Sequence, residues 1–250
     1  MDSKEIKKLN ETYHKEDKVQ KRIITFKNYT YRTLVDVLDG YIKQGDKILD
    51  LGCGVGTLDF YLASKGNSVT GIDQSKIAIN IAARNSKALG VDKNTTYFQK
   101  NIFKLNTKEK FNDVLLFEVI EHLPNDTKAF VMARKLLKRN GLLFISTRSS
   151  SAPLSRIGLT KKHDERVGHL RRYTLEELGK MIISLGFAVT YKSKTEGFFK
   201  ELLFSYPKFG SSVVRIANRF ALVSDVLNFV DNIFLRLFGE SQLVIVARKK

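Results

Sequence analysis

Cysteine is almost absent from this sequence. The single thiol, Cys53, excludes an internal disulfide and fits a reducing compartment, so a cytoplasmic location is expected. No stretch approaches the roughly 18 uninterrupted apolar residues of a membrane-spanning helix. The opening residues, Met1-Asp2-Ser3-Lys4-Glu5, run into mixed charge instead of an apolar signal core, so no export is expected. No Cys/His set has the spacing of a structural zinc site, and no metal is expected. Internal repeats and low-complexity tracts are also missing. Acid is scarce: 26 acidic residues face 43 basic ones, a formal charge of +17. That surplus bears on partners and says nothing about fold. It suits nucleic acid, an anionic membrane surface or a phosphorylated substrate, and equally a lysine-rich habit without function.

What is present is a globular core. A hydrophobic fraction of 43% over 250 residues suffices for one α/β domain with additions. Residues 1–30 are highly charged with scattered apolar positions and read as one or two capping helices. In residues 31–42, Leu34, Val35, Leu38 and Ile42 recur at helical spacing. Short apolar strands then alternate with helices. Strands are expected at 47–50, 68–72, 96–99, 113–117 and 142–146, with helices at 57–64, 75–88 (capped by Ser75) and 125–137 (capped by Asn125 or Asp126) between them. That alternation implies a parallel sheet covered on both faces. Residues 147–172 read as a polar loop, Thr174 and Glu177 as a capping box, and 187–190 and 243–246 as late strands.

The decisive motif is Asp50-Leu51-Gly52-Cys53-Gly54-Val55-Gly56, placed after a strand and opening a helix. Glycines there let the backbone turn sharply and approach a ligand closely. The dinucleotide fingerprint would need glycine at Thr57, so a nicotinamide-dependent dehydrogenase is disfavoured. The carboxylate of Asp50 would repel a pyrophosphate but suits a ligand with a cationic amino-acid head. Cys53 has no neighbouring base and reads as a small loop residue.

This strand-turn-helix resembles motif I of the class I S-adenosylmethionine-dependent methyltransferases, and further elements follow in order. Gly71-Ile72-Asp73 resembles the second strand end; the resemblance puts Asp73 on the ribose hydroxyls with Gln74 beside it, although Asp73 can also cap the next helix. Asn101-Ile102 falls where the family binds adenine, with asparagine in place of the more frequent aspartate. Phe117-Glu118-Val119-Ile120-Glu121-His122-Leu123-Pro124 and Leu136-Leu137-Lys138-Arg139-Asn140-Gly141-Leu142 resemble the fourth and fifth strand regions of the small-molecule, quinone-biosynthesis-like branch. The likeness runs from about Tyr31 to Phe187 and returns at the last strand. It implies a Rossmann-like, doubly wound, mostly parallel seven-stranded sheet with helices on both faces. It also implies S-adenosylmethionine as cofactor, held by Asp50, Gly52, Cys53, Gly54, Gly56, Asp73, Gln74, Asn101, Ile102 and Glu118. The cofactor domain would then comprise 31–197 and 240–250, with 1–30 a helical cap.

A sulfonium makes its methyl group electrophilic, so such an enzyme mainly aligns the acceptor and excludes water. A hydroxyl acceptor must also lose a proton. The candidates for that base are Glu118, His122 and His169. His122 can instead bond a loop carbonyl, and His163 and His169 can belong to a solvated loop.

Residues 198–239 form an insertion too long for an ordinary connection. Phe198, Leu202, Tyr206, Phe209, Val213, Ile216 and Phe220 recur at three and four, then Val226, Phe229, Val230, Ile233, Phe234 and Leu237. Lys200, Lys208, Arg215, Arg219 and Arg236 punctuate them. Two or three helices are expected over the acceptor site, their apolar stripes packed on the domain. The alternative is a basic, hydrophobic surface resting on a membrane and admitting a lipid-like acceptor. The resulting expectation is methyl transfer to a small or lipid-like molecule. An RNA methyltransferase lacks support in the residues after Phe117, which are not an Asn/Asp-Pro-Pro-aromatic set. A non-catalytic, cofactor-binding regulator remains open on sequence alone.

Overall fold

A computed structural model describes residues 20–250. Strands β1 (Lys47–Leu51), β2 (Ser68–Asp73), β3 (Thr95–Gln99), β4 (Phe111–Phe117), β5 (Leu137–Arg148), β6 (Phe187–Thr195) and β7 (Gln242–Lys249) form one sheet in the order β3-β2-β1-β4-β5-β7-β6. All neighbours pair parallel except β7, which runs antiparallel to β5 and β6. Strand order reverses between β1 and β4, and that divergence opens the crevice in which α/β sheets bind ligands.

The central strands are apolar throughout because both faces are covered. One face packs Leu49, Val114, Leu116 and Ile145 against helices α4 (Asp126–Leu136) and α7 (Leu175–Ser184). The other packs Ile48, Leu115 and Phe144 against α1 (Arg32–Tyr41) and α2 (Thr57–Ser64). The expected caps are present. The Ser75 hydroxyl accepts from Ala78 N (3.2 Å) at the head of α3 (Lys76–Ala88), and Asn125 Oδ1 accepts from Lys128 N (2.8 Å) at the head of α4. Thr174 and Glu177 form the capping box of α7.

Several expectations need correction. Residues 20–30 form turns without a helix, and the remainder of the expected 1–30 cap lies outside the described residues. β5 starts five residues before the expected Leu142, because Leu137 already pairs with Phe111; the ladder with β4 then bulges and resumes at Leu142 opposite Asp113. The polar loop contains two short helices, α5 (Pro153–Arg156) and α6 (Lys161–Val167).

The insertion forms three helices, α8 (Phe198–Ser205), α9 (Pro207–Arg219) and α10 (Ala221–Phe238). Of the stripe of α10 that was expected to face inward, Val226, Phe229, Ile233 and Leu237 face outward, whereas Val230 and Phe234 are half-buried and Phe234 packs on Phe198. A polar group sets the rotation. Asp231 is buried, and its carboxylate accepts from the backbone N–H groups of Gly197 and Lys200, both at 2.8 Å. Those are orphan donors at the head of α8, which would otherwise be buried unsatisfied. A Cβ at Gly197 would sit 2.5 Å from the Asp231 carbonyl, so the approach requires glycine. Among the described residues, no helix is long and apolar enough to cross a membrane.

Candidate active site

The glycine loop leaves β1 at the sheet's carboxyl edge. Gly52 and Cys53 both donate their N–H to the carbonyl of Ile72, at 2.7 and 3.1 Å. Gly54 N donates to Asp73 Oδ2 (3.1 Å), while Ser75 N donates to Asp73 Oδ1 (2.7 Å). Asp73 thus splints the loop to the end of β2 and also caps the following turn. Gly56 takes a left-handed φ of 81° at the start of α2, and a Cβ there would meet the Tyr97 hydroxyl at 2.7 Å.

Beneath this loop lies a group that sequence reasoning missed. Asp50, Asp59 and Tyr97 face one another in the interior, and neither Asp59 oxygen nor the Tyr97 hydroxyl has another hydrogen-bond partner among the described residues. Burial pushes Asp50 well above the carboxylate range, and the nearby Asp59 adds to it. Burial likewise raises Asp59, to about 7. Two carboxyls this close in a dry interior retain a shared proton. The legible signal was an aspartate in a helix whose other central positions, Leu58, Phe60, Leu62 and Ala63, are apolar. Cys53 is partly buried, and burial with the adjacent Asp59 and Asp50 holds its thiol protonated. It is no nucleophile.

This donor set has a definite chemistry. Backbone amides and glycines give close approach, while Asp73 brings a carboxylate and Asp50, which shares a proton with Asp59, a hydrogen-bonding carboxyl. A ligand with a sulfonium and an ammonium fits it, and a pyrophosphate does not. Toward β3 the other expected contacts are placed less directly. Asn101 Oδ1 accepts from Phe103 N (2.9 Å), Ile102 is buried, and the Gln74 carbonyl accepts from Gln99 Nε2 (3.3 Å).

The end of β4 carries the second half of the site. Glu118 adopts a left-handed φ of 53°, a conformation that costs a glutamate about 1–2 kcal/mol. Three donors hold it there: Arg148 Nε (2.8 Å), Ser146 Oγ (2.9 Å) and Gln242 Nε2 (3.1 Å). Burial would raise its proton affinity, but Arg148 and these hydrogen bonds more than offset that, and the group is held below the usual range. Arg148 also reaches Glu196 Oε2 (3.5 Å), which ends β6 with a φ of 54°. Glu196 in turn pairs with buried Lys200 at 3.7 Å. Alternating charges therefore tie together the ends of β4, β5 and β6.

The two expected histidines meet beside this row. The rings of His122 and His169 lie 4.8 Å apart, and His163 lies 6.0 Å from His169. His122 Nδ1 bonds the Gly168 carbonyl (3.2 Å), so its Nδ1 carries hydrogen and Nε2 is left as an acceptor. The carbonyl-bonding alternative thus holds and also fixes the tautomer. Burial, followed by the nearby His169, lowers His122 to about 4, so it is neutral at pH 7. His169 Nδ1 bonds Asp164 Oδ1 (2.7 Å), which fixes the same tautomer. Asp164 is gripped by Arg172 Nη2 at 2.7 and 3.0 Å and by Thr160 Oγ1 at 3.1 Å. Against burial, the hydrogen bonds from His169 and Arg172 hold Asp164 ionised. Neither Asp164 nor Arg148 was singled out from the sequence, because their partners are distant or off-motif. Glu121 is fully buried, accepts from Thr147 Oγ1 (3.1 Å), and is raised by burial and by the charge of Glu118. Ligand atoms of Glu121, His122 and His169 lie within 4.8 Å of one another, a set able to hold a divalent cation. Spacing in the sequence had suggested no metal; folding assembles this set from two segments.

Arg148, His163, His169 and Arg172 line a small cavity roofed by Phe204 and Ser205 of α8, with a volume of about 10 Å³. A second cavity, about 740 Å³, lies elsewhere, between α1, β6 and α10. Glu196, which lines it, pairs with Arg148 of the smaller cavity at 3.5 Å.

Residues 42–183 match the family described as a methyltransferase domain. The chain belongs to that family. It is a class I, S-adenosylmethionine-dependent methyltransferase, as the glycine loop led us to expect. The ubiquinone biosynthesis O-methyltransferase of Glaesserella parasuis is 37% identical over 114 residues, which cover 43% of this chain and 48% of that protein. The chain spans about half the length of the curated relatives it matches. Among solved structures, a phosphoethanolamine N-methyltransferase of Haemonchus contortus with bound S-adenosylmethionine superposes with a TM-score of 0.66 at 19% identity, covering 87% of this chain and 52% of that one. A [4+2]-cyclase superposes at 0.63 and 16% identity, covering 87% and 80%. The methyltransferase's fold is therefore shared with a different chemistry, and its function must be argued from the site.

Proposed function

We propose that this methyltransferase moves a methyl group from S-adenosylmethionine to a hydroxyl of a small, lipid-like acceptor, with His169 as the proton acceptor. The observation that carries the reading is the pair of imidazoles at the end of β4, both fixed with Nε2 as an acceptor. Bound cofactor supplies an electrophilic methyl group on a sulfonium. Asp50, Gly52, Cys53, Gly54, Gly56 and Asp73 would hold its amino-acid and ribose portions, with Gln74, Asn101 and Ile102 toward the base. Glu118 bridges the two halves as a positioning residue, since its carboxylate is already committed to Arg148.

The acceptor hydroxyl gives its proton to His169 Nε2, and Asp164 orients that ring and stabilises the cation as it forms. His122 faces it as a neutral ring, so no second positive charge opposes the protonation of His169. The cavity beneath Phe204 and Ser205, about 10 Å³, is too small for an acceptor, so α8 must yield to admit one. The name of the Glaesserella relative, an O-methyltransferase of ubiquinone biosynthesis, supports an oxygen acceptor of quinone-precursor type. An anionic membrane belongs to this reading as a peripheral partner, and nucleic acid does not.

Methyl transfer from labelled cofactor to a panel of catechols and short-chain quinols tests the proposal. Turnover that survives in His169→Ala would remove that residue, and cofactor binding without any oxygen acceptor would return the chain to a binding role.

A further inference from the structure

The outward face of the insertion is the least expected surface of the molecule. Leu222, Val226, Phe229, Ile233 and Leu237 recur at four, three, four and four along α10 and form one solvent-facing stripe. Leu222, Phe229 and Leu237 are 76%, 67% and 69% exposed, values a domain does not leave on five aligned apolar positions by chance of rotation. The neighbouring helix continues the patch with Phe209, Ile216 and Phe220. Tyr206 extends it further, its hydroxyl donating to the Leu159 carbonyl (3.1 Å) beside exposed Ile157 and Leu159.

The charges around the patch have one sign. Lys208, Arg215, Arg219 and Arg236 are exposed, and none forms an ion pair among the described residues. Residues 206–238 contain two acids. Asp231 is buried on the α8 amides, and Asp225 is held by Arg32 and Lys27. A second copy of this chain, itself at +17, would bring like charges together across such a face. A surface of anionic headgroups over apolar tails matches both the stripe and its rim.

We propose that the outward face of α9 and α10 lies in the plane of an anionic phospholipid bilayer, with Leu222, Val226, Phe229, Ile233 and Leu237 immersed and Lys208, Arg215 and Arg219 on the headgroups. The patch reaches Tyr206, whose neighbours Phe204 and Ser205 roof the histidine cavity. Resting on the methyl-transfer reading, the same contact loosens α8 and lets a lipid-like acceptor pass from the bilayer to His169. The docking itself stands on the surface alone.

Co-sedimentation with vesicles tests it. The probes are equimolar phosphatidylglycerol and phosphatidylcholine against pure phosphatidylcholine, with the full chain, Leu222→Ser/Val226→Ser/Ile233→Ser, and Lys208→Glu/Arg215→Glu/Arg219→Glu. All six positions are exposed, and circular dichroism of each variant verifies its fold. The wild-type chain is expected to pellet with anionic vesicles at least about tenfold more than with neutral ones, with the excess lost near 0.5 M salt. Both triple variants are expected to lose most of that binding. No pelleting of the wild-type chain, equal pelleting with neutral vesicles, or a stripe variant that pellets normally would each overturn the proposal. So would a lipid-free dimer of the wild-type chain that the stripe substitutions dissociate, because the face would then belong to a second copy. Failure of the methyl-transfer reading appears separately, as absent S-adenosylmethionine binding in calorimetry, and leaves the pelleting result intact.

Discussion

The two halves of the crevice are built differently. On the β1–β2 side, the loop from Asp50 to Gly56 is held by its own strand, by Ile72 O and by Asp73, all within about one βαβ unit. On the β4–β6 side, Glu118, Arg148, Glu196 and Gln242 come from four strand ends, and His169 meets His122 from a separate segment. The first half is a backbone device with local registers. The second is a charge network in which each group is set by partners far along the chain. A local device serves one cofactor, whereas a distributed network can be retuned one residue at a time for different acceptors.

The sharpest test of this contrast is chemical. His169→Ala is expected to lower kcat by about 10²–10⁴-fold while cofactor affinity stays within a few-fold, since the two halves share no bond there. Asp164→Asn should follow it in direction, through loss of the fixed tautomer. Calorimetric cofactor binding beside a single-turnover methylation assay separates the two effects. If cofactor affinity falls with kcat, the halves are coupled and the comparison breaks.

The insertion gives the next largest effect. Asp231→Ala leaves the Gly197 and Lys200 amides buried without an acceptor, and should cost about 2–3 kcal/mol in thermal or urea unfolding. Asp231→Asn should recover part of that, because its amide oxygen can still accept. An unchanged melting point would mean that α10 owes its rotation to something other than this cap.

On the cofactor side, Asp73→Ala removes the acceptor for Gly54 N and Ser75 N together, and should weaken S-adenosylmethionine binding by about tenfold, or about 1.4 kcal/mol. Calorimetry reads that directly. The smallest expected effect is a pH dependence. Asp59 is raised in the folded protein to about 7, against roughly 4 in the unfolded chain. Its contribution is therefore fully present below about pH 4 and is lost as pH rises through about 7. Asp59→Asn should flatten the fall in melting temperature between those values. A wild-type melting temperature that is level across that window would remove the shared proton.

Much of the β1–β5 half could be read without coordinates. Apolar strands of four to seven residues, caps at Ser75, Asn125 and Thr174, and three glycines after Asp50 are signals written over short spans, and short spans are where spacing constrains geometry. Of the two Asp73 readings, the capping one is visible, since the carboxylate does bond the turn that follows. The histidines were legible as candidates; their tautomers were not, because Gly168 O and Asp164 reach them only through tertiary contact. Asp59 left a trace, an acid amid Leu58, Phe60 and Leu62, but nothing in the sequence said that Asp50 would face it.

The outward stripe of α10 marks the boundary between the two kinds of information. Sequence by itself pointed to amphipathic helices within 198–239, one of them carrying the stripe from Val226 to Leu237, because a 3.6-residue period follows from local backbone geometry. It could not determine which way the apolar face would turn. That was decided in the tertiary structure by a buried carboxylate and two orphan amides, since an unsatisfied polar group in the interior costs more than an apolar stripe left facing out. The same division runs through the whole molecule. Local chemistry determined the elements and the cofactor loop, and long-range satisfaction of buried charge decided how Glu118, Arg148, Glu196 and the histidines meet.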